Sequence, residues 1–430
     1  MKWSSYNKKV DFGKILTTDL NGRMRGVQVN AGNIEKILSR GVGFDGSSIA
    51  GMGTVDESDR VLVPVPESHR IIDFGDEKIG LFAGKIYEKE GVRSRSDPRL
   101  VLERVMKIAK AKGYGFLIGP EHEFFLLKSE EFNANIHTDA SGYFDIDPHD
   151  TGEEVRKDII KALLKSGIGF EKAHHEVTAS QHEINVAPED PLSAADTTLL
   201  VRFIIKSVAK KHGLYATFMP KPFDGENRNA FHMHLSMVDE KGKNLFYKKG
   251  RKYNLSTLGR CFIGGVLKYA RDTSIVMAST VNSYKAYVME REAPISIGWG
   301  IRNRSSMLRL PYSSEPHAMR IELRSPDPSG NVYLQMAAFI AAGLHGIEEK
   351  TDCGEPDTGS TYKKKSEKVL DRHYLPKTTF EALAEAQESD FLRDVLGDYI
   401  YNNYIRLKVE EWEEFRVHVT PFEQKKYMSL

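Results

Sequence analysis

The sequence predicts an α+β fold, strand-rich at its start and mixed afterwards. Two patterns carry that expectation. Strand-like segments around tight turns come first, and long helix-periodic stretches interleaved with further strands follow. In addition, four separated stretches alternate carboxylate, imidazole or guanidinium with mostly apolar residues at a period of two: Glu121-His122-Glu123-Phe124, Gln181 to Val186, Phe231 to Ser236, and Arg320 to Arg324. Successive strand side chains point to opposite faces. Glu121 and Glu123 therefore share a face, as do Glu183 and Asn185, His232, His234 and Ser236, and Arg320, Glu322 and Arg324. Acids placed side by side on strands repel unless cations sit between them. The pattern describes the wall of a polar, metal-filled cleft.

Along the chain, Lys14 to Leu20 and Arg25 to Val29 read as a hairpin around Asn21-Gly22. Asn33 to Ser39 reads as a short helix, Asp45 to Gly53 as a glycine- and serine-rich loop, and Val61 to Val65 as a strand. A domain boundary is expected after residue 96, giving domains 1–96 and 97–430. There Asp97 offers a helix cap and Pro98 a first helical residue. Pro98 to Lys112, Glu153 to Ser166, Leu192 to His212 and Gly330 to Glu349 carry helical periodicity, the last strongly apolar. Lys350 to Lys368 reads as a mobile charged loop, and the last sixty or so residues as helix.

The bulk numbers exclude several classes. A net charge of +1 over 430 residues gives no field for nucleic acid or a membrane surface. No apolar run approaches the roughly 18 residues of a membrane span. Two cysteines, Cys261 and Cys353, are too few for a disulfide framework or a zinc cage, so a reducing, cytoplasmic setting is expected. Gly41 to Gly46 matches G-x-G-x-x-G, but a helix-like segment precedes it and Ser47-Ser48 follow, so it is no dinucleotide fingerprint. No phosphate-binding G-x-x-x-x-G-K-[ST] loop occurs.

Glu121, Glu123, Glu176, Glu183, His232 and Glu322 form the candidate metal set. Five carboxylates and one imidazole suit Mg²⁺ or Mn²⁺ rather than zinc. A single acid of this kind is usually a solvated strand residue; four segments of the same polarity are a poorer match to chance. Such ions would clamp a nucleotide's phosphates. His174, His175 and His182 read as supports for those ligands. Arg302, Arg304, Arg309, Arg320 and Arg324 supply planar cations for phosphate or carboxylate oxygens, unless they form only a solvated basic face.

Seven ordered motifs then resemble glutamine synthetase of the bacterial and archaeal type I kind. They are Gly43-Phe44-Asp45-Gly46-Ser47-Ser48-Ile49, Gly119 to Phe125, His174-His175-Glu176-Val177 with Gln181-His182-Glu183, Phe218 to Pro222, Asn282-Ser283-Tyr284-Lys285, Glu292-Ala293-Pro294, and Arg320 to Pro328. The resemblance implies a small β-grasp-like N-terminal domain and a large catalytic domain with a curved antiparallel sheet flanked by helices. It implies that ATP phosphorylates a side-chain carboxylate and ammonia displaces the phosphate, with two or three Mg²⁺ or Mn²⁺ ions per site. Glu123, Glu176 and Glu183 would hold one ion, and Glu121, His232 and Glu322 another. Glu171, His234, Ser236 and Arg320 would lie along ATP, and Arg304 and Arg309 would meet the moving phosphoryl group. Asp45 and Ser48 of a neighbouring subunit would bind ammonium, Glu292 would close that pocket, and Arg324 would hold the amino acid's carboxylate. Stacked hexameric rings, a homo-oligomeric dodecamer, are implied as well.

The chain departs from the family around the acid. Asn227-Arg228-Asn229-Ala230-Phe231-His232 stands where Asn-Gly-Ser-Gly-Met-His is usual, and Ala286 where an arginine grips glutamate's α-carboxylate. Asn227 and Arg228 are the candidate acid-binding residues of this stretch, with Arg228 a possible replacement clamp. Ser180 replaces a common glycine. Glutamate with ammonia is the leading expectation. A different acid, an organic amine in place of ammonia, or a catalytically silent scaffold are the alternatives.

Overall fold

The computed structural model describes residue 6 and residues 9–89, 91–131, 135–146, 150–288, 293–313, 315–362 and 371–430. Strands β1 (Phe12–Thr18) and β2 (Met24–Asn30) pair antiparallel from Phe12↔Asn30 to Thr18↔Met24. The turn between them places Gly22 at φ 77°, a left-handed conformation that glycine adopts without a Cβ clash. Helix α1 (Ile34–Arg40) leads into β3 (Val42–Asp45), β4 (Asp59–Pro64), β5 (Arg70–Asp73), β6 (Lys78–Lys89) and β7 (Val92–Arg93). The seven strands form one sheet with the path β2-β1-β6-β4-β3, in which β1 and β6 run parallel. The long β6 was not foreseen. Six consecutive buried positions, Ile79 to Gly84, hide the alternation that marks a half-buried strand.

Helix α2 (Pro98–Ala111) starts as expected: the Asp97 carboxylate accepts from the Arg99 amide and Pro98 occupies the first turn. Then come β8 (Gly115–Leu127), α3 (Glu153–Lys165), β9 (Phe170–His175), β10 (Gln181–Val186), α4 (Pro191–Lys211), β11 (Tyr215–Thr217) and β12 (Met233–Val238). They are followed by α5 (Thr257–Lys268), α6 (Ser274–Met277), β13 (Trp299–Ile301), β14 (Leu308–Leu310), β15 (Ile321–Leu323) and α7 (Val332–Glu349). The second sheet is ordered β13-β14-β15-β12-β8-β10-β9, with β11 also on β8. It is the expected antiparallel sheet flanked by helices, with one parallel pair, β13–β14, at its end.

Apolar backs of β8, β12 and β15 (Ile118, Met233, Leu235, Leu323) pack on α2, α5 and α7 in the main core. There α5 and α7 cross closely: a Cβ on Gly265 would lie 2.1 Å from the Ala342 carbonyl oxygen, so backbone contact requires glycine. A second core joins the small sheet (Leu16, Ile79, Leu81) to α3, α4 and β8 (Ile159, Leu163, Ile204, Phe124). Asn331 ties the units further, donating to Thr18 Oγ1 and the Asp19 carbonyl, each at 2.9 Å.

The expected C-terminal helix is split into α8 (Thr379–Gln387), α9 (Asp390–Leu396), α10 (Asp398–Arg416) and α11 (Pro421–Tyr427). Ser389 caps α9, and Gly397 at φ 76° ends it. Residues 350–362 differ from the mobile loop expected. The Cys353 carbonyl accepts from Trp299 Nε1 at 3.1 Å, and Asp357 N donates to the Trp299 carbonyl at 2.6 Å, which pins the segment to β13; residues 363–370 lie outside the described part. No described helix is long and apolar enough to cross a membrane.

Candidate active site

The register of the second sheet assembles the cleft. Glu183 stands opposite Glu123 and His174, Asn185 opposite Glu121 and Lys172, and Glu322 opposite His234 and Arg309. These side chains share one face and line a cavity of about 830 Å³. Glu121, Glu123, Glu183, His232, His234, Ser236, Arg320, Glu322 and Arg324, expected on one face from the period of two, all line it, and so do Glu171, Glu176, Arg304 and Arg309.

Glu121 is held from three sides. Its Oε2 accepts from His232 Nδ1 at 2.9 Å, and its Oε1 from His234 Nε2 at 3.0 Å and Asn185 Nδ2 at 2.8 Å. Burial pushes its carboxyl up, but the two imidazoles outweigh burial and hold it well below the usual carboxylate range. Since a carboxylate only accepts, His232 Nδ1 carries the proton and Nε2 keeps its lone pair for a ligand. Burial and the Arg324 guanidinium lower His232, which keeps the ring neutral. Glu322 reaches Arg309 Nη1 at 2.6 Å and Arg324 Nη1 at 2.5 Å. Burial opposes ionisation there, yet Arg324 and His234 pull its pKa down to about 2.

Glu123 behaves oppositely. Burial first, then the neighbouring carboxylates of Glu176 and Glu183, push its pKa well above the usual range. Its Oε2 accepts from the Ala230 amide at 2.6 Å. Ligand atoms come within 4.8 Å of one another in three groups here: His174, Glu176 and Glu183; Glu121, Glu183 and His232; Glu121, His234 and Glu322. The donors are carboxylate oxygens and imidazole nitrogens, with no thiol among the lining residues. Such hard oxygen sets fit Mg²⁺ or Mn²⁺. A divalent ion entering beside Glu123 is expected to release a proton, because burial and the carboxylates of Glu176 and Glu183 favour the protonated carboxyl, which must ionise to ligate. Mn²⁺ affinity should therefore rise with pH through the acid-to-neutral range. Calorimetric enthalpies should depend on the buffer's ionisation heat; equal enthalpies in two buffers would refute the coupling.

Asp45, Ser48, Asn227 and Arg228, also expected at the site, lie outside this lining. Asp45, at the end of β3, and Ser48, just after it, are both exposed; Asp45 accepts from Ser47 Oγ at 2.6 Å and Ser48 Oγ at 2.8 Å. Glu292 lies outside the described residues. Asn227 donates its amide to Thr178 Oγ1 at 3.2 Å, away from the lining. Arg228 is buried, and its guanidinium donates to the carbonyls of Ser325, at 2.9 Å, and of Arg324, over the Tyr287 ring. Arg228 is thus no free clamp: two backbone carbonyls already satisfy its fork. Ser180 lies at φ 64°, the conformation glycine tolerates best. Its amide bonds Asp139 Oδ1 at 2.8 Å and its Oγ accepts from the Thr138 amide at 2.7 Å, which offsets the strain.

The support role expected of the histidines holds unevenly. His174 itself lines the cleft, 3.1 Å from Glu183 Oε1. His175 and His182 point to the other face, with Asp139 and Asp150. There Arg156 is the cation, bonding both Asp150 oxygens and His182 Nδ1. Lys172, Tyr143 and His317 line the cleft without having been singled out. Lys172 precedes His174 by two residues on the same strand, the one signal that could have placed it.

Sequence profiles of two domains match the chain: "Glutamine synthetase, beta-Grasp domain" over residues 9–89 and "Glutamine synthetase, catalytic domain" over residues 95–427. The chain belongs to the glutamine synthetase family. Among its relatives, the glutamine synthetase of Methanosarcina mazei is 38% identical over 98% of this chain and 96% of its own. That of Thermotoga maritima is 38% identical over 98% and 97%. Solved structures of GmaS are also similar. The ligand-free form has a TM-score of 0.89 at 31% identity over 100% of both chains, and an ADP complex has 0.88 at 31% over 99% and 98%.

Proposed function

We propose that this member of the glutamine synthetase family is an ATP-dependent ligase that joins ammonia to the side-chain carboxylate of glutamate. The observation that carries the reading is the convergence of Glu121, Glu123, Glu176, Glu183, His232 and Glu322 on one cleft face, with four arginines beside them. Near 38% identity to proteins named glutamine synthetase over nearly the whole chain supports it.

In this reading two or three Mg²⁺ or Mn²⁺ ions neutralise the phosphates when bound. Glu123, Glu176 and Glu183 hold one, and Glu121, His232 and Glu322 another. Glu171, His234, Ser236 and Arg320 orient the nucleotide. Arg304 and Arg309 stabilise charge on the phosphoryl group as it passes to the acid's carboxylate, a step dominated by positioning and electrostatics. Arg324 orients the acid. Asp45 and Ser48 of a neighbouring subunit, with Glu292, complete the ammonium site. That arrangement makes the working unit a homo-oligomer, for which we propose stacked hexameric rings in the cytoplasm. The small domain ends at residue 96 and the catalytic domain starts at 97.

A second reading, an organic amine or another acid as substrate, is favoured by Ala286. It is buried and uncharged at the position where a clamp was expected. The whole-chain similarity to GmaS, gamma-glutamylmethylamide synthetase, fits it only in part, since its 31% identity is below the 38% shared with proteins named glutamine synthetase. A silent scaffold is disfavoured because the whole ligand set is retained. Phosphate release from ATP, with Mn²⁺ or Mg²⁺, is measured across acids and amines. Stimulation by glutamate plus ammonia is the expected result. Stimulation only by another pair establishes the second reading, and release without any acid overturns both.

A further inference from the structure

One cation of the cleft has no part in the mechanism above. Lys172 lies on β9, which pairs only with β10 among the described residues and so forms the cleft's edge. Its Nζ is 3.2 Å from Glu183 Oε1 and 4.0 Å from Glu121 Oε1. The same two carboxylates, with His232, form one of the groups whose ligand atoms come within 4.8 Å of one another. The ammonium therefore occupies the flank of a position built for a divalent ion. Nearly half of the Lys172 side chain remains exposed, at 48%, whereas those of Glu183 and Glu121 are 6% and 12% exposed. The two acids are enclosed by the sheet, whereas the lysine's stem has solvent to move into.

We propose that Lys172 is a tethered counter-ion that competes with a divalent cation for Glu183 and Glu121 and, once displaced, contacts the polyphosphate of the nucleotide. The proposal rests on the ligase reading of the cleft. A divalent ion needs the oxygens that the ammonium faces, and its double charge repels the ammonium at short range. Lysine suits the exchange, because its charge rides on a flexible four-carbon stem and is held as a point charge rather than by a rigid fork. Cross-strand from it, Asn185 binds Glu121 Oε1 at 2.8 Å and keeps that oxygen in place when the lysine departs. The displaced ammonium still faces the cavity that its residue lines, and anionic phosphate is a complementary occupant there.

The test uses the full-length protein without nucleotide. Mn²⁺ binding is followed by electron paramagnetic resonance for the wild type, Lys172→Met, Lys172→Arg and Glu183→Gln. Lys172→Met keeps the aliphatic stem and should tighten Mn²⁺ binding about three- to fivefold, the scale of a half-exposed ion pair. With saturating Mn²⁺, the same variant should bind ADP about threefold or more weakly. Lys172→Arg should stay near the wild type in both. Structural damage would weaken Mn²⁺ binding, so a gain cannot come from it. Unchanged or weaker Mn²⁺ binding in Lys172→Met overturns the competition, and unchanged ADP binding overturns the contact with phosphate. If Glu183→Gln binds Mn²⁺ as the wild type does, the ion reading of the cleft fails instead.

Discussion

Glu322→Gln is expected to abolish ATP-dependent ligation, a loss of at least about a thousandfold, and to destabilise the fold by about 3–5 kcal/mol. Both effects come from one carboxylate. Glu322 is 1% exposed and bridges Arg309 and Arg324. A neutral amide leaves Arg324, itself 3% exposed, buried without its counter-charge. The pH dependence has a definite sign. The folded pKa of about 2 is below the unfolded value of about 4.3. The group therefore contributes stability that is full above about pH 4.3 and lost as pH falls through about 2, amounting to about 3 kcal/mol. Glu322→Gln should remove this part of the acid-unfolding profile. Adding Arg324→Met removes the orphaned charge, so the double variant should regain part of the stability in urea titrations without regaining turnover. Ligation at the wild-type rate would expel Glu322 from the ion set, and wild-type stability would mean that the two arginines find other partners.

Arg228→Ala carries the second large effect. The guanidinium spans the carbonyls of Arg324 and Ser325, and Tyr287 donates its hydroxyl to the same Ser325 carbonyl at 2.7 Å. Losing two charge-assisted bonds is expected to cost about 2–4 kcal/mol. The main chain that carries Arg324 loosens as well, so KM for the acid should rise more than kcat falls. The conservative change Arg228→Lys should not restore either quantity, because one ammonium cannot reproduce a planar fork. If stability is unchanged while KM for the acid rises, Arg228 reaches the acid directly and its backbone role is refuted. By the same reasoning Ala286→Arg alone should destabilise, since position 286 is 3% exposed and a guanidinium there is taken out of water.

Much of the cleft could be read before any coordinates. The polarity of β8, β10, β12 and the Arg320–Arg324 stretch is a local property, because side-chain direction alternates along any strand wherever the strand sits. Caps such as Asp97 and the Asn21-Gly22 turn are local too, each using atoms within a few residues. The resemblance added roles that no periodicity contains. What escaped was contact. Arg228 was legible as bulk and charge, but its destination depends on carbonyls almost a hundred residues away. Spacing from His174 could place Lys172 on the cleft face, but its partners come from β9–β10 pairing, which sets it opposite Asn185 and beside Glu183.

By itself, then, the sequence determined which residues alternate, where several helices begin, and which hard ligands share a face within each strand. Only the tertiary structure decided which of those groups meet, that the sheet ends in a parallel pair, and that Arg228 is consumed by backbone rather than facing the cleft. The physical reason is that alternation and capping are fixed by bonded geometry over a few residues. Pairing partners, burial and the balance of charge on Glu123 and Glu322 arise only when distant segments exclude water together.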